Sequence, residues 1–179
     1  EAISYLDIAL WDLKAKVNNE PLWKTLGASS PCVKAYASGI DMCLTDDELR
    51  TFYERMADSG ITAGKLKVGL DQPADLQRLA IMRDALKRAS PQPGLAVDSN
   101  EYWSPKQAIR RIREMEDQFD LLWVEEPARR WDYRGLRKVS MSVNAAVATG
   151  ENLDNIEDFF PLLDNNAIDI VEIGAGTNG

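Results

Sequence analysis

The chain has 179 residues, 45% of them hydrophobic and 28% charged, which is enough apolar material for one good core and argues against disorder. Its 29 acidic residues outweigh 21 basic ones to give a net charge of -8, which speaks against a nucleic-acid or anionic-membrane partner while leaving local basic pockets open. No stretch has the apolar length of a membrane span, nothing at the start reads as a signal peptide, and histidine is absent, so chemistry here rests on carboxylates, lysines and hard metals.

Residues 1–17 place Ile3, Leu6, Leu10, Leu13 and Val17 at helical spacing, an amphipathic helix that Asn18-Asn19 ends. It has no capping residue before Ala2, so the chain is expected to enter mid-domain. Pro21 opens a second short helix through Trp23 and Leu26, closed by Gly27, and Ser29-Ser30-Pro31 marks a boundary between a segment 1–30 and a segment 31–179. The two cysteines, Cys32 and Cys43, have no ligand or redox spacing and suit a reducing, cytoplasmic setting.

From there short apolar strands alternate with helices. Strands are expected over 33–38, 62–68, 95–98, 121–125, 146–149 and 168–173, with helices over 46–59, 73–89, 105–116, 133–139 and 156–163. Strand followed by helix, six times over, implies an α/β fold with parallel pairing through right-handed crossovers. Six units do not close an eight-stranded barrel, so the fold is either an open doubly wound sheet or a barrel whose remaining units lie beyond Gly179. No glycine-rich phosphate loop follows the first strand.

The strand over 62–68 carries Lys65 and Lys67 on one face and Leu66 and Val68 on the other. Two ammonium groups side by side depress each other's pKa, which is one route to a neutral lysine base; a solvated edge strand with two snorkelling lysines is the plainer alternative. The next three strands end in Asp98-Ser99-Asn100, Glu125-Glu126-Pro127 and Gly150-Glu151-Asn152, one strand-helix unit apart. With neighbouring strands about 4.8 Å apart, Asp98, Glu125 and Glu151 can converge, and a hard cation such as magnesium would offset their repulsion. Any one of them could instead serve a helix N-terminus, and Glu126 is read that way or as a residue behind the metal ligands.

Lys65-Leu66-Lys67, Asp98-Ser99-Asn100, Val124-Glu125-Glu126-Pro127 and Gly150-Glu151-Asn152, in this order and spacing, resemble the enolase superfamily, specifically its mandelate racemase subgroup. The opening run from Ala2 to Asp12 also resembles the late helices of that family's capping domain. The resemblance implies a partial TIM-type (β/α) barrel preceded by helices of an α+β capping domain, 1–30 closing the cap and 31–179 supplying the first six barrel units. It implies a lyase or isomerase that removes the proton α to a carboxylate and stabilises the enediolate on Mg2+. Asp98, Glu125 and Glu151 would be metal ligands, Lys67 the base, Lys65 its electrostatic partner and a substrate-carboxylate ligand, and Asn100 a substrate ligand. The family's histidine-aspartate dyad has its aspartate position on Gly174; Glu172, on the same strand face, could stand in or be a buried structural partner.

Without that aspartate, an acid-sugar dehydratase is favoured over a racemase or epimerase of a 2-hydroxy acid, since dehydration can run on one face. Glycoside hydrolysis by a carboxylate pair leaves the lysines unexplained, and a non-catalytic metal-binding barrel remnant is the reading outside enzymes. The expected partner is a small-molecule carboxylate, with homo-oligomers of the full-length protein, and the 179 residues alone are expected to be inactive.

Overall fold

Capping side chains start most of the helices that separate the strands. In the computed structural model, which describes residues 2–174 and 176, helices α1 (Ala2–Val17) and α2 (Leu22–Thr25) precede α3 (Asp46–Asp58), whose Thr45 and Glu48 form a reciprocal capping box. Strand β1 (Ala63–Lys67) leads to α4 (Gln72–Leu86), capped by Asp71 with Pro73 in its first turn. The series continues through β2 (Gly94–Asp98), α5 (Pro105–Glu116) with a Ser104–Gln107 capping box, β3 (Leu121–Glu125), α6 (Tyr133–Ser140), β4 (Ala146–Thr149), α7 (Ile156–Asp164) and β5 (Ile170–Val171).

Among the described residues the sheet has five strands in the order β1-β2-β3-β4-β5, and every pair is parallel. Strands that follow one another in sequence and never reverse direction around the sheet form a wall of a (β/α) barrel, whereas a doubly wound sheet would switch order. The fold is thus a partial TIM-type barrel, with one correction. The strand expected over 33–38 is reduced to a single parallel bridge between Ala37 and Gly64. Ala37 N–H donates to the Ala63 carbonyl at 2.9 Å and Lys65 N–H donates to the Ala37 carbonyl at 2.8 Å, after which the chain leaves the ladder. No described strand pairs with the other edge of 33–38, and Val33 is 91% exposed, so the apolar run alone does not hold it in the sheet.

Alternation along the strands divides the sheet into two faces. Leu66, Val97, Val124 and Val147 bury against Leu79, Met82, Ile112 and Leu136 of the surrounding helices. Fully burying a side chain of this size stabilises the fold by about 1.5–3 kcal/mol. The helices press so close to β1 that a Cβ on Gly64 would meet Met82 Sδ at 2.8 Å and Tyr53 Cε1 at 2.9 Å. The other face carries Lys65, Lys67, Asp98 and Glu125 toward the barrel interior. Helix α1 leaves Ile3, Leu6, Leu10, Leu13 and Val17 exposed. No described helix is long and apolar enough to cross a membrane.

Candidate active site

Strand register places the charged side chains in one row. Lys67 pairs across the ladder with Asp98, and Asp98 with Glu125, so three consecutive strands end at the same level. Parity does the rest, because Lys65, two residues before Lys67, projects from the same face. Lys67 Nζ donates to Asp98 Oδ2, and Lys65 Nζ donates to Glu125 Oε2 and stands 3.5 Å from Asp98 Oδ2. Asp98 and Glu125 are almost wholly buried, and Lys65 is 7% exposed.

These charges set one another's protonation. Burial raises Asp98, and although the bond from Lys67 opposes this, the charge of Glu125 adds to the rise. Glu125 is also pushed up by burial, but hydrogen bonds with Glu172 and Lys65 bring it below its usual value. For Lys65 the expected depression does not hold. Burial pushes its amine down, yet the hydrogen bond and charge of Glu125, with the charge of Asp98, carry it well above an ordinary lysine. A neighbouring ammonium matters less than two carboxylates from strands that the sequence places far away.

The remaining acids form a second layer. Glu126 adopts a left-handed backbone (φ 45°), as do Asn100 (φ 45°) and Glu101 (φ 60°), and such strain in non-glycine residues concentrates at functional sites. Asn152 Nδ2 donates to Glu126 Oε1 at 2.7 Å and Asn100 Nδ2 to Glu126 Oε2 at 3.5 Å. Burial, with the charges of Glu151, Glu101 and Asp98 behind it, pushes Glu126 up to about 7 despite the Asn152 bond. It does not cap a helix, since α6 is capped by Asp132, which accepts from Gly135 N–H at 2.9 Å. Glu172 is hydrogen-bonded to Glu125, and burial and that bond push it up to about 9. Glu151, by contrast, is exposed beyond the end of β4. Among the described residues no three acidic side chains stand close enough to share one metal ion; Lys65 and Lys67 supply the charge that offsets Asp98 and Glu125.

A cavity of about 430 Å3 opens beside Lys65 and Glu125, which line it with Glu151, Glu172 and Gly174 together with Tyr36 and Trp123. The two aromatic residues were not among the sequence candidates. Their rings meet edge to face at 5.1 Å, Lys65 Nζ lies 5.7 Å from the Tyr36 centroid, and Trp123 Nε1 donates to Glu125 Oε2 at 3.4 Å. Trp123 was findable, since it precedes Glu125 by two and must share its face. Asn152, third residue of the Gly150-Glu151-Asn152 motif, has its part only through the fold, as the donor to Glu126.

Comparison with known proteins agrees with this architecture. The family described as "Enolase C-terminal domain-like" matches residues 48–179, and "Mandelate racemase / muconate lactonizing enzyme, N-terminal domain" matches residues 1–27. A 3,6-anhydro-alpha-L-galactonate cycloisomerase of Streptomyces coelicolor is 40% identical over 88% of this chain and 43% of its own length. An L-talarate/galactarate dehydratase of Salmonella typhimurium is 39% identical over 96% of this chain and 43% of its own. A crystal structure of a racemase from Streptomyces coelicolor with bound magnesium superimposes with a TM-score of 0.90 at 36% identity, covering 99% of this chain and 52% of that one. The chain thus spans about half the length of the relatives it matches. On the strength of both matched segments and of a barrel wall that ends in lysines and acids, it belongs to the enolase superfamily, in the mandelate racemase / muconate lactonizing enzyme family.

Proposed function

We propose that the full-length protein removes the proton α to the carboxylate of an acid sugar and expels the β-hydroxyl, an acid-sugar dehydratase, with Lys67 as the base. The observation that carries this is the row Lys67, Asp98, Glu125, its two acids buried, with buried Lys65 beside it, at the carboxyl ends of adjacent parallel strands. That is where barrel enzymes assemble their chemistry. Lys65, a fixed cation lining the cavity, suits a substrate carboxylate, and Asn100, held in a left-handed turn beside Asp98, suits a substrate hydroxyl.

The donor chemistry fits magnesium. Asp98 and Glu125 are two buried carboxylates, the charge of Glu125 raising the pKa of Asp98, and both present hard oxygen ligands, with Glu151 at the same sheet end as the proposed third. Bound there, the ion supplies positive charge where negative charge develops on the substrate carboxylate, an effect worth several kcal/mol. In its neutral form Lys67 Nζ accepts the C2 proton, and the ammonium so formed returns a proton to the departing C3 hydroxyl, which leaves as water. Glu172, bonded to Glu125, and Glu126, bonded to Asn100 and Asn152, stand behind the ligands.

Dehydration is preferred to racemisation because, among the described residues, a base stands on one face. Gly174 brings no side chain to the cavity, and Glu172 is committed to Glu125. A racemase or epimerase is the second reading, in keeping with the racemase that superimposes on this chain. We further propose that residues 1–30 close a capping domain and 31–179 build the barrel, that the substrate is a small carboxylate, and that the protein works as a cytoplasmic homo-oligomer, a setting that suits the two unpaired cysteines. Incubating the full-length protein with an acid-sugar library in deuterated water tests the reading. Formation of 2-keto-3-deoxy products from one C2 epimer is expected; deuterium exchange into both epimers with no dehydration would establish the racemase instead.

A further inference from the structure

Behind the strand that carries the two lysines lies a buried polar cluster to which the reaction assigns no part. Asp41, in the connection before α3, is 1% exposed. Its Oδ1 accepts from the backbone N–H of Lys67 at 3.2 Å, and its Oδ2 accepts from the Tyr53 hydroxyl at 3.2 Å. Tyr53, itself fully buried in α3, also reaches the Lys65 carbonyl at 2.9 Å. Arg78 of α4 pins the connection from outside, donating to the Asp41 carbonyl at 2.6 Å and to the Leu44 carbonyl at 2.8 Å.

The ladder explains what Asp41 replaces. In a parallel pair, amides two residues apart bond to the same neighbouring strand. Lys65 N–H finds the Ala37 carbonyl, but the chain leaves the sheet after Ala37, and Lys67 N–H would face no carbonyl there. A buried amide without an acceptor is costly, and the Asp41 carboxylate fills the position. Beyond it Val68 N–H donates to the Asp98 carbonyl, and Gly69 N–H donates to buried Asp75 at 2.9 Å while the Gly69 carbonyl accepts from Trp103 Nε1 at 3.1 Å. The backbone amides of Lys65, Lys67, Val68 and Gly69 are thus all held, those of Lys67 and Gly69 by side chains.

We infer that Asp41 is a positioning residue: its carboxylate serves as the missing ladder acceptor for Lys67 N–H and so fixes the backbone from which Lys67 Nζ reaches the substrate. The catalytic part of this inference rests on the reading of Lys67 as the base. Misplacement of a reacting group by about 1 Å can cost about 10²-fold in rate, so loss of the acceptor should act on turnover rather than on binding.

The test uses the full-length protein and the variants Asp41→Ala and Asp41→Asn. Asp41→Ala should lower kcat by roughly 30- to 100-fold, with KM for the acid sugar and the magnesium dissociation constant each within about threefold of the parent. Asp41→Asn, whose amide oxygen can still accept from Lys67 N–H, should recover kcat to within about threefold of the parent. Asp41→Ala with near-parental kcat, or Asp41→Asn as impaired as Asp41→Ala, would overturn the inference. Amide hydrogen exchange in the parent reads the latch without any variant or turnover: Lys67 N–H should exchange as slowly as the Leu66 amide, and exchange at the rate of exposed loops would overturn it. Lys67→Met separates the two proposals, because turnover retained there sinks the base assignment while leaving amide protection to judge Asp41.

Discussion

Lys65 and Glu125 lie sixty residues apart in sequence and form a buried ion pair, one at the middle position of β1 and the other at the last position of β3, with β2 between them. The pair therefore spans a strand, and Asp98 on that intervening strand sits within 3.5 Å of the same ammonium group. Removing one member of such a cluster leaves a buried charge without compensation. Lys65→Met should destabilise the full-length protein in metal-free buffer by about 3–5 kcal/mol, measured by urea denaturation. A loss below about 1 kcal/mol would mean that solvent reaches Asp98 and Glu125 far more freely than their burial indicates.

Glu172 gives the site a pH signature. Its folded pKa, about 9, stands above its unfolded value of 4.5, so between those limits the folded state holds a proton that the unfolded state has released. The stability it contributes is fully present below pH 4.5 and is lost as pH rises through about 9. Thermal denaturation of the metal-free protein should show stability falling across this window, by at most about 1.4 kcal/mol per pH unit for the one group. Glu126, at about 7, adds to the fall in the lower half of the window. Glu172→Gln, which keeps the donor without the titration, should flatten the profile; an unchanged slope would remove Glu172 as its source.

Gly64 tests the packing that aims the lysines. A methyl group there would meet Met82, Tyr53 and Leu86 at 3.0 Å or less, all three of them fully buried side chains. Gly64→Ala should cost about 1–3 kcal/mol of stability by denaturant titration. Stability equal to the parent would show that the helices are not seated against β1 as described.

Much of the fold was legible in the sequence where local and global signals agree. Ser104-Pro105 with Gln107 announces the start of α5, and residues 121–124 form an apolar run that ends on Glu125; both elements occupy the expected ranges. The run at 33–38 reads equally well as a strand, yet its pairing depends on a neighbour rather than on its own residues, and only Ala37 joins the ladder. Strand parity gave the shared face of Lys65, Lys67, Asp98 and Glu125, because register within a parallel sheet follows from one-unit spacing. Protonation was not legible. The sequence shows Lys65 beside Lys67, whereas its pKa is decided by Glu125 and Asp98, and the proton on Glu172 is decided by its closeness to Glu125. Asp41 was invisible for the same reason, since nothing in its local sequence points to an amide 26 residues away.

The proposed ligand set makes an uneven demand on its members. Glu125 is buried and bonded on several sides, whereas Glu151 is exposed and contacted at 3.5 Å by its neighbour Asn152. Calorimetry on the full-length protein should show magnesium binding weakened at least about tenfold by Glu125→Gln and by Glu151→Gln alike, since a carboxylate lost from a three-acid site removes charge as well as an oxygen. Glu151→Gln binding as tightly as the parent would strike Glu151 from the set.

The claim on which the account turns is that Lys67 takes the proton from carbon. Deuterium exchange at C2 of the acid sugar recovered unreacted, followed by nuclear magnetic resonance in deuterated water, reads that step apart from loss of the hydroxyl. With Lys67→Met in the full-length protein, exchange and turnover should both fall by at least about 10²-fold, the contribution of a positioned general base, while magnesium binding persists. Exchange at the parental rate in that variant would contradict the account, whatever else the row of lysines and carboxylates does.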